Sequence, residues 1–243
     1  MKTAKMFITR SLFVPILTLL LAGCSADQPE PGTICRPSPD IHLVESSSGS
    51  STVELLLETN AGTWSVAPSY AIWALYPDGS SQSLYATCKA AKNAWHGGGN
   101  QSESLPVWYR VRDLEGLDPE GARLDAITTA TPTRSTFVLH WEPAFSGAND
   151  TIQIFVEANL PNDHNDFYTP NQGSNGQPSV IWKSSFMVLA DSLIFIERPR
   201  YIGHSHPKGI DSEVYPDRNG ITTAMEIFSA IRLRRLNPES KID

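Results

Sequence analysis

The chain has 243 residues, 40% of them hydrophobic and 19% charged, and a net charge of −7 at neutral pH. That length and apolar share fit one domain with a real core and a small appendage. The acidic balance excludes a nucleic acid as partner, because binding its phosphates needs clustered basic residues.

The first element is a leader. Lys2, Lys5 and Arg10 precede or open an apolar run from Ser11 to Leu21, which Leu21-Ala22-Gly23-Cys24 closes. A basic start, an apolar middle and a small-residue cleavage site make an export signal. The run is too short to cross a bilayer, which takes roughly 20 residues. A cysteine directly after the small residues reads as a lipobox. Residues 1–23 are therefore expected to be a lipoprotein signal peptide, leaving Cys24 as the new N-terminus. Its thiol would carry a diacylglycerol and its amino group a further acyl chain, enough to anchor the protein stably. Loss of Lys2, Lys5 and Arg10 takes the net charge to about −10, so the lipid would be the membrane contact. Ser25 is not the aspartate that favours inner-membrane retention in a two-membrane bacterium. The expected location is the outer membrane, facing the periplasm.

Residues 24–51 are rich in Ser, Pro, Gly and acids and read as a lipidated tether. Cys35 interrupts it. With the lipobox cysteine set aside, Cys35 and Cys88 are an even pair in an exported chain, which predicts a disulfide. The bond would close a loop of about fifty residues and stabilise the fold by roughly 4 kcal/mol. The alternative is two buried free thiols.

From Thr52 the chain turns to short β-branched and aromatic runs between turn signals. Strands are predicted at Val53–Leu57, Tyr70–Tyr76, Ser83–Cys88, Phe137–Trp141, Thr151–Ala158, Ser179–Val188 and Ser192–Ile196, with Pro77-Asp78-Gly79 as a hairpin turn. The pattern predicts an all-β, antiparallel β-sandwich over residues 52–196. Leu105–Arg110 reads as the start of a helical turn, and Asn93–Gln101 as a flexible loop. Residues 197–243 read as a loop and a C-terminal α-helix packed on the sandwich. Thr223 and Glu226 have capping-box spacing. Ala224, Ile227, Phe228, Ile231 and Arg235 share one helical face. Arg232, Arg234 and Arg235 would complement the dipole of the last turns.

Several groups could carry chemistry. His204 and His206 lie two apart, with Asp211, Glu213 and Asp217 close behind. Imidazole and carboxylate suit a divalent metal, and His204, His206 and Asp211 are the candidate ligands of a metal-dependent hydrolase. The bland alternative is a Gly/Pro-rich loop whose histidines bond to backbone. Asn162-Asp163-His164-Asn165-Asp166 is oxygen-rich but lacks the glycine and distal glutamate of an EF-hand, so an ordinary solvated turn is preferred over a calcium loop. Six tryptophans, Trp64, Trp73, Trp95, Trp108, Trp141 and Trp182, could form a sugar platform if exposed, but most fall in strand patterns that place them in the core.

Asp125-Ala-Ile-Thr-Thr-Ala-Thr131-Pro132 resembles the acceptor sequence of exported flavin-transferases, which join FMN phosphate to a threonine hydroxyl. The resemblance makes Thr131 the acceptor and FMN the cofactor of an electron-transfer protein. Thr129 stands where the pattern has glycine, and Pro132 stiffens the exit. A threonine-rich turn is the simpler reading. The same stretch belongs to a wider likeness. Tyr70-Ala-Ile-Trp73, Pro77-Asp-Gly79, Leu105-Pro-Val-Trp108, Asp125–Pro132, Val156-Glu-Ala-Asn159 and Asn175-Gly-Gln-Pro-Ser179 occur in order. This is similar to a family of predicted periplasmic proteins of unknown function that neighbour flavin-transferases and PepSY-type membrane electron carriers. The resemblance covers roughly residues 70–189. It implies an immunoglobulin-like sandwich and an envelope redox protein or flavin-transferase as partner, but no known reaction. The expectation is a lipid-anchored, non-enzymatic accessory or binding module of the envelope.

Overall fold

The computed structural model describes residues 41–44, 52–60, 67–91, 104–118, 123, 127–129, 136–143, 151–172, 175–187 and 196–236. The described chain is mostly strand. Strands β1 (Ile41–Val44), β2 (Thr52–Thr59), β3 (Ser69–Leu75), β4 (Ser81–Thr87), β5 (Thr128–Thr129) and β6 (Thr136–Trp141) come first. They are followed by β7 (Thr151–Asn159), β8 (Val180–Met187), β9 (Ile196–Glu197), β10 (Arg200–His204) and β11 (Phe228–Leu236). Two short helices, α1 (Cys88–Ala91) and α2 (Pro106–Leu114), lie between β4 and β5. Among the described residues, no helix is long and apolar enough to cross a membrane.

The strands form a five-stranded sheet ordered β1-β6-β2-β11-β9 and a six-stranded sheet ordered β10-β8-β7-β3-β4-β5. Pairing is antiparallel except at two outer pairs, β1 with β6 and β4 with β5, which are parallel. Period-two alternation sends one set of side chains from each sheet into a shared core. β2 contributes Val53, Leu55 and Leu57, and β6 contributes Phe137, Leu139 and Trp141. β7 contributes Ile152, Ile154 and Val156, and β11 contributes Phe228, Ile231 and Leu233. Offset and edge-on rings tie the layers, with Tyr85 to Phe137 at 4.4 Å and Trp182 to Phe228 at 5.5 Å.

The outer face of the six-stranded sheet is also buried. Ala71, Trp73 and Ala86 pack there against Ala90 and Ala91 of α1 and Leu105, Trp108 and Tyr109 of α2. Trp73 stacks on Phe155 with centroids 5.2 Å apart and planes 4° apart. The molecule is thus a sheet-on-sheet sandwich with a helical layer on one side.

The C-terminal helix expected from the sequence is not formed. Thr223–Glu226 is a single 3-10 turn, and Phe228–Leu236 is strand β11, paired along its length with β2. The segment satisfied two periodicities. Its apolar residues fit one helical face, but Ile231, Arg232, Leu233 and Arg234 also alternate buried and exposed. The open edge of β2 decides between them, because pairing there satisfies backbone groups and buries Ile231 and Leu233 together. The three arginines therefore do not complement a helix dipole. Arg232 lies 3.4 Å from Glu58 and Arg234 2.6 Å from Glu54, each across the strand pair. β10 and β11 also carry residues past 196 into both sheets, and β1 brings part of the expected tether to an edge.

Candidate functional site

Cys24, Cys35 and Thr131 lie outside the described residues, as do Trp64 and Trp95. Cys88 opens α1 and is 1% exposed. Trp73, Trp108, Trp141 and Trp182 are buried in the two cores, so none of these four forms a surface platform.

The expected metal ligands are placed but not gathered. His204 ends β10, 5% exposed, with Nδ1 2.7 Å from the Ser205 carbonyl oxygen and Nε2 3.3 Å from Asp217. The Asn219 backbone N–H and the His204 ring together hold the Asp217 carboxyl below its usual range. His206 lies beyond the strand, and its Nδ1 accepts the Lys208 backbone N–H at 3.1 Å. Asp211 accepts the Tyr215 hydroxyl at 2.9 Å and the Glu213 backbone N–H at 3.1 Å. Both histidine rings contact Tyr215, His204 stacked at 5.7 Å and His206 edge-on at 6.0 Å. Among the described residues, no three His, Cys, Asp or Glu side chains converge in a way that would hold a metal ion.

The oxygen-rich loop after β7 is tied into the fold. Asp163 accepts the Thr223 hydroxyl at 2.7 Å and the Gln177 amide at 2.7 Å. Gln177 is 2% exposed and accepts the Thr222 backbone N–H at 2.6 Å. Burial raises the Asp163 carboxyl above its usual range, against these hydrogen bonds. Gly176 is required beside it. Its φ is +113°, and a Cβ there would meet the Asp163 backbone nitrogen at 2.6 Å. The oxygens expected to make a solvated turn instead fasten the loop to the segment before β11.

That fastening builds a cleft. Asn165 accepts the backbone N–H groups of Phe167 and Tyr168 at 2.9 and 2.8 Å. Its amide donates to the Gly220 carbonyl at 2.8 Å and the Thr222 hydroxyl at 3.1 Å. The Tyr168 hydroxyl donates to the Asn219 carbonyl at 3.0 Å. Phe167 lies directly over Gly220, where an added Cβ would come within 2.4 Å of its ring, and it packs edge-on against Tyr168 at 4.9 Å. The Phe167 ring is nonetheless 55% exposed. Phe167, Tyr168, His206 and Lys208 line one open cleft of about 740 Å³, with Asp166 and Asn171 also on its walls. That volume lies in the range of small-ligand sites. Sequence reading marked His206 and the Asn165 loop but not Phe167 or Tyr168. The usable signal was two aromatics directly after an Asx-turn residue.

A second set lies under α2. Glu157, fully buried on the outer face of the six-stranded sheet, accepts the Trp108 backbone N–H at 2.7 Å and that of Val107 at 3.4 Å. It also accepts the Ser179 hydroxyl at 2.6 Å. Leu105 gives α2 no side-chain cap, so Glu157 satisfies those first N–H groups from another element. Burial pushes its carboxyl up to about 7 despite the three donors. The first turn of α2 and Ser179, from two separated sequence stretches, thus hold the Glu157 carboxyl of a third. This set is enclosed and structural, whereas the cleft is open. Compared with known proteins, the chain is matched by no protein-family model, no curated protein and no solved structure.

Proposed function

We infer that the protein is a binding module of the bacterial envelope, held by lipid on Cys24, with the cleft beside Phe167 as its ligand site. The carrying observation is the exposed Phe167 ring, fixed over Gly220 and by Asn165, in a cleft that His206 and Lys208 also line. A rigid site loses little freedom on binding, and binding is its most direct use. The leader supports the location. Its tie to a flavin-linked redox system rests on the order of the Tyr70–Ser179 motifs. The Cys35–Cys88 bond belongs to the same reading. It is supported by the burial of Cys88 at the start of α1.

The test is thermal unfolding of the full chain with and without the small-molecule fraction of an envelope extract. A ligand of the native state raises the midpoint by mass action. The expected result is a rise that Phe167→Ala abolishes. No rise, or an equal rise in the variant, overturns the cleft as the site. Labelled fatty acid incorporated by the parent but not by Cys24→Ser is expected for the anchor, and label retained in the variant removes it.

A further inference from the structure

We propose that the cleft binds an acidic saccharide, with a pyranose ring lying on Phe167 and its carboxylate against His206 and Lys208. This rests on the reading of the cleft as the ligand site.

The lining mixes two kinds of polar group. Lys208 carries an exposed ammonium, and the ordinary tautomer of His206 leaves a donor at Nε2, because Nδ1 accepts the Lys208 backbone N–H. Among the described residues, neither Lys208 Nζ nor His206 Nε2 has a partner within the protein. Two unpaired donors on an acidic chain suit a ligand carboxylate, which accepts strong charge-assisted hydrogen bonds. The lining also offers Asp166 and Asn171. A carboxylate and an amide there accept from and donate to hydroxyl groups, while the Asp166 charge would repel a second anionic group.

The same lining holds the exposed Phe167 ring, which offers an apolar face to the C–H side of a sugar ring. The ligand that matches all of these groups has an anionic group, hydroxyl groups and a flat apolar side. A uronic acid has all three. A neutral sugar leaves the two donors unmatched, and an anion without hydroxyls leaves Asp166 and Asn171 unmatched.

The experiment is calorimetric titration of the full chain with three probes. They are a uronic-acid trisaccharide, the neutral hexose trisaccharide of the same linkage, and a zwitterionic dipeptide. The uronate is expected to bind and the neutral sugar to bind at least about tenfold more weakly, the size of one charge-assisted contact. The dipeptide is expected to be silent. Phe167→Ala and Lys208→Gln, both at exposed positions, should each weaken uronate binding about tenfold. Equal binding of the neutral sugar, binding of the dipeptide in place of the uronate, or uronate binding unchanged in both variants overturns the assignment. Silence toward all three probes, with a Phe167-dependent rise from the envelope extract, overturns the saccharide and leaves the binding site standing. Silence toward both probes and extract removes both.

Discussion

The two outer faces of the sandwich each hold a glutamate, and the two are treated in opposite ways. Glu54 lies on the five-stranded sheet, opposite His140 of β6 and Arg234 of β11. Burial pushes its carboxyl up, but Arg234 at 2.6 Å and His140 at 3.0 Å outweigh that and hold it below the usual range. Glu157 lies on the six-stranded sheet beneath α2 with only neutral donors, and burial wins. An acid on an open face is neutralised by counter-charges. An acid under a helical layer is held by N–H and O–H groups and favours its proton. The covering layer, more than the residue type, sets its chemistry.

The largest expected effect comes from stripping that layer. Trp108 is fully buried, and its indole N–H donates to Ser83 at 3.1 Å. Trp108→Ala should cost about 4 kcal/mol in denaturant unfolding, from lost burial and an unfilled cavity. The same substitution should leave the Phe167 cleft's ligand response in place wherever the chain stays folded.

The acidity of the two glutamates offers a sharper contrast. Glu157 binds its proton more tightly folded than unfolded, since its value rises from 4.5 to about 7. Its stabilising contribution is therefore full below about pH 4.5 and is lost as pH climbs through 7. The loss reaches about 3 kcal/mol. Glu157→Gln keeps the shape and should flatten that slope. For Glu54 the sign reverses. Its lowered value gives stability at neutral pH that disappears as pH falls through the carboxylate range. Unfolding free energies from about pH 2 to 9 in the parent and both Gln variants check the two directions.

Gly176→Ala should cost about 2 kcal/mol, because its φ of +113° and the approach to Asp163 leave no room for a Cβ. Since Asp163 also holds Thr223, the variant should loosen the loop that carries Phe167. Amide exchange at Phe167 and Tyr168 reads this directly. The smallest effect belongs to the Glu54–Arg234 pair. Arg234 is 52% exposed, so a double-mutant cycle should give less than about 1 kcal/mol, and salt should reduce it.

Much of the strand framework was legible in the residues. β2, β3, β4, β6, β7 and β8 lie where alternation and turn signals put them, because each buries one face and each run is bounded by turns. The pattern failed where a long-range partner decided the outcome. Phe228–Leu236 could have been helix or strand until the edge of β2 was available to it. β1 and β10 are short, and β1 pairs with β6, far away in the chain, while β10 pairs with β8 across the intervening β9. The cleft was illegible for the same reason. Phe167 and His206 come from two loops that neither periodicity nor spacing relates, and hydrogen bonds of Asn165, Asp163, Tyr168 and Gln177 to the segment before β11 hold the Phe167 loop in place. Glu157 was hidden differently. It occupies an ordinary outward position in β7, and nothing local shows that α2 will close over it.

The place of β11 has a consequence for how the protein is made. Of the described strands it is the last to be synthesised, yet it lies inside its sheet, between β2 and β9. A nascent chain lacking it presents the whole edge of β2, with unpaired backbone groups above an apolar floor, and such an edge recruits other strands. The interval between synthesis of Glu58 and of Arg232 is therefore the dangerous one, and holding the polypeptide unfolded until residue 236 is available avoids it.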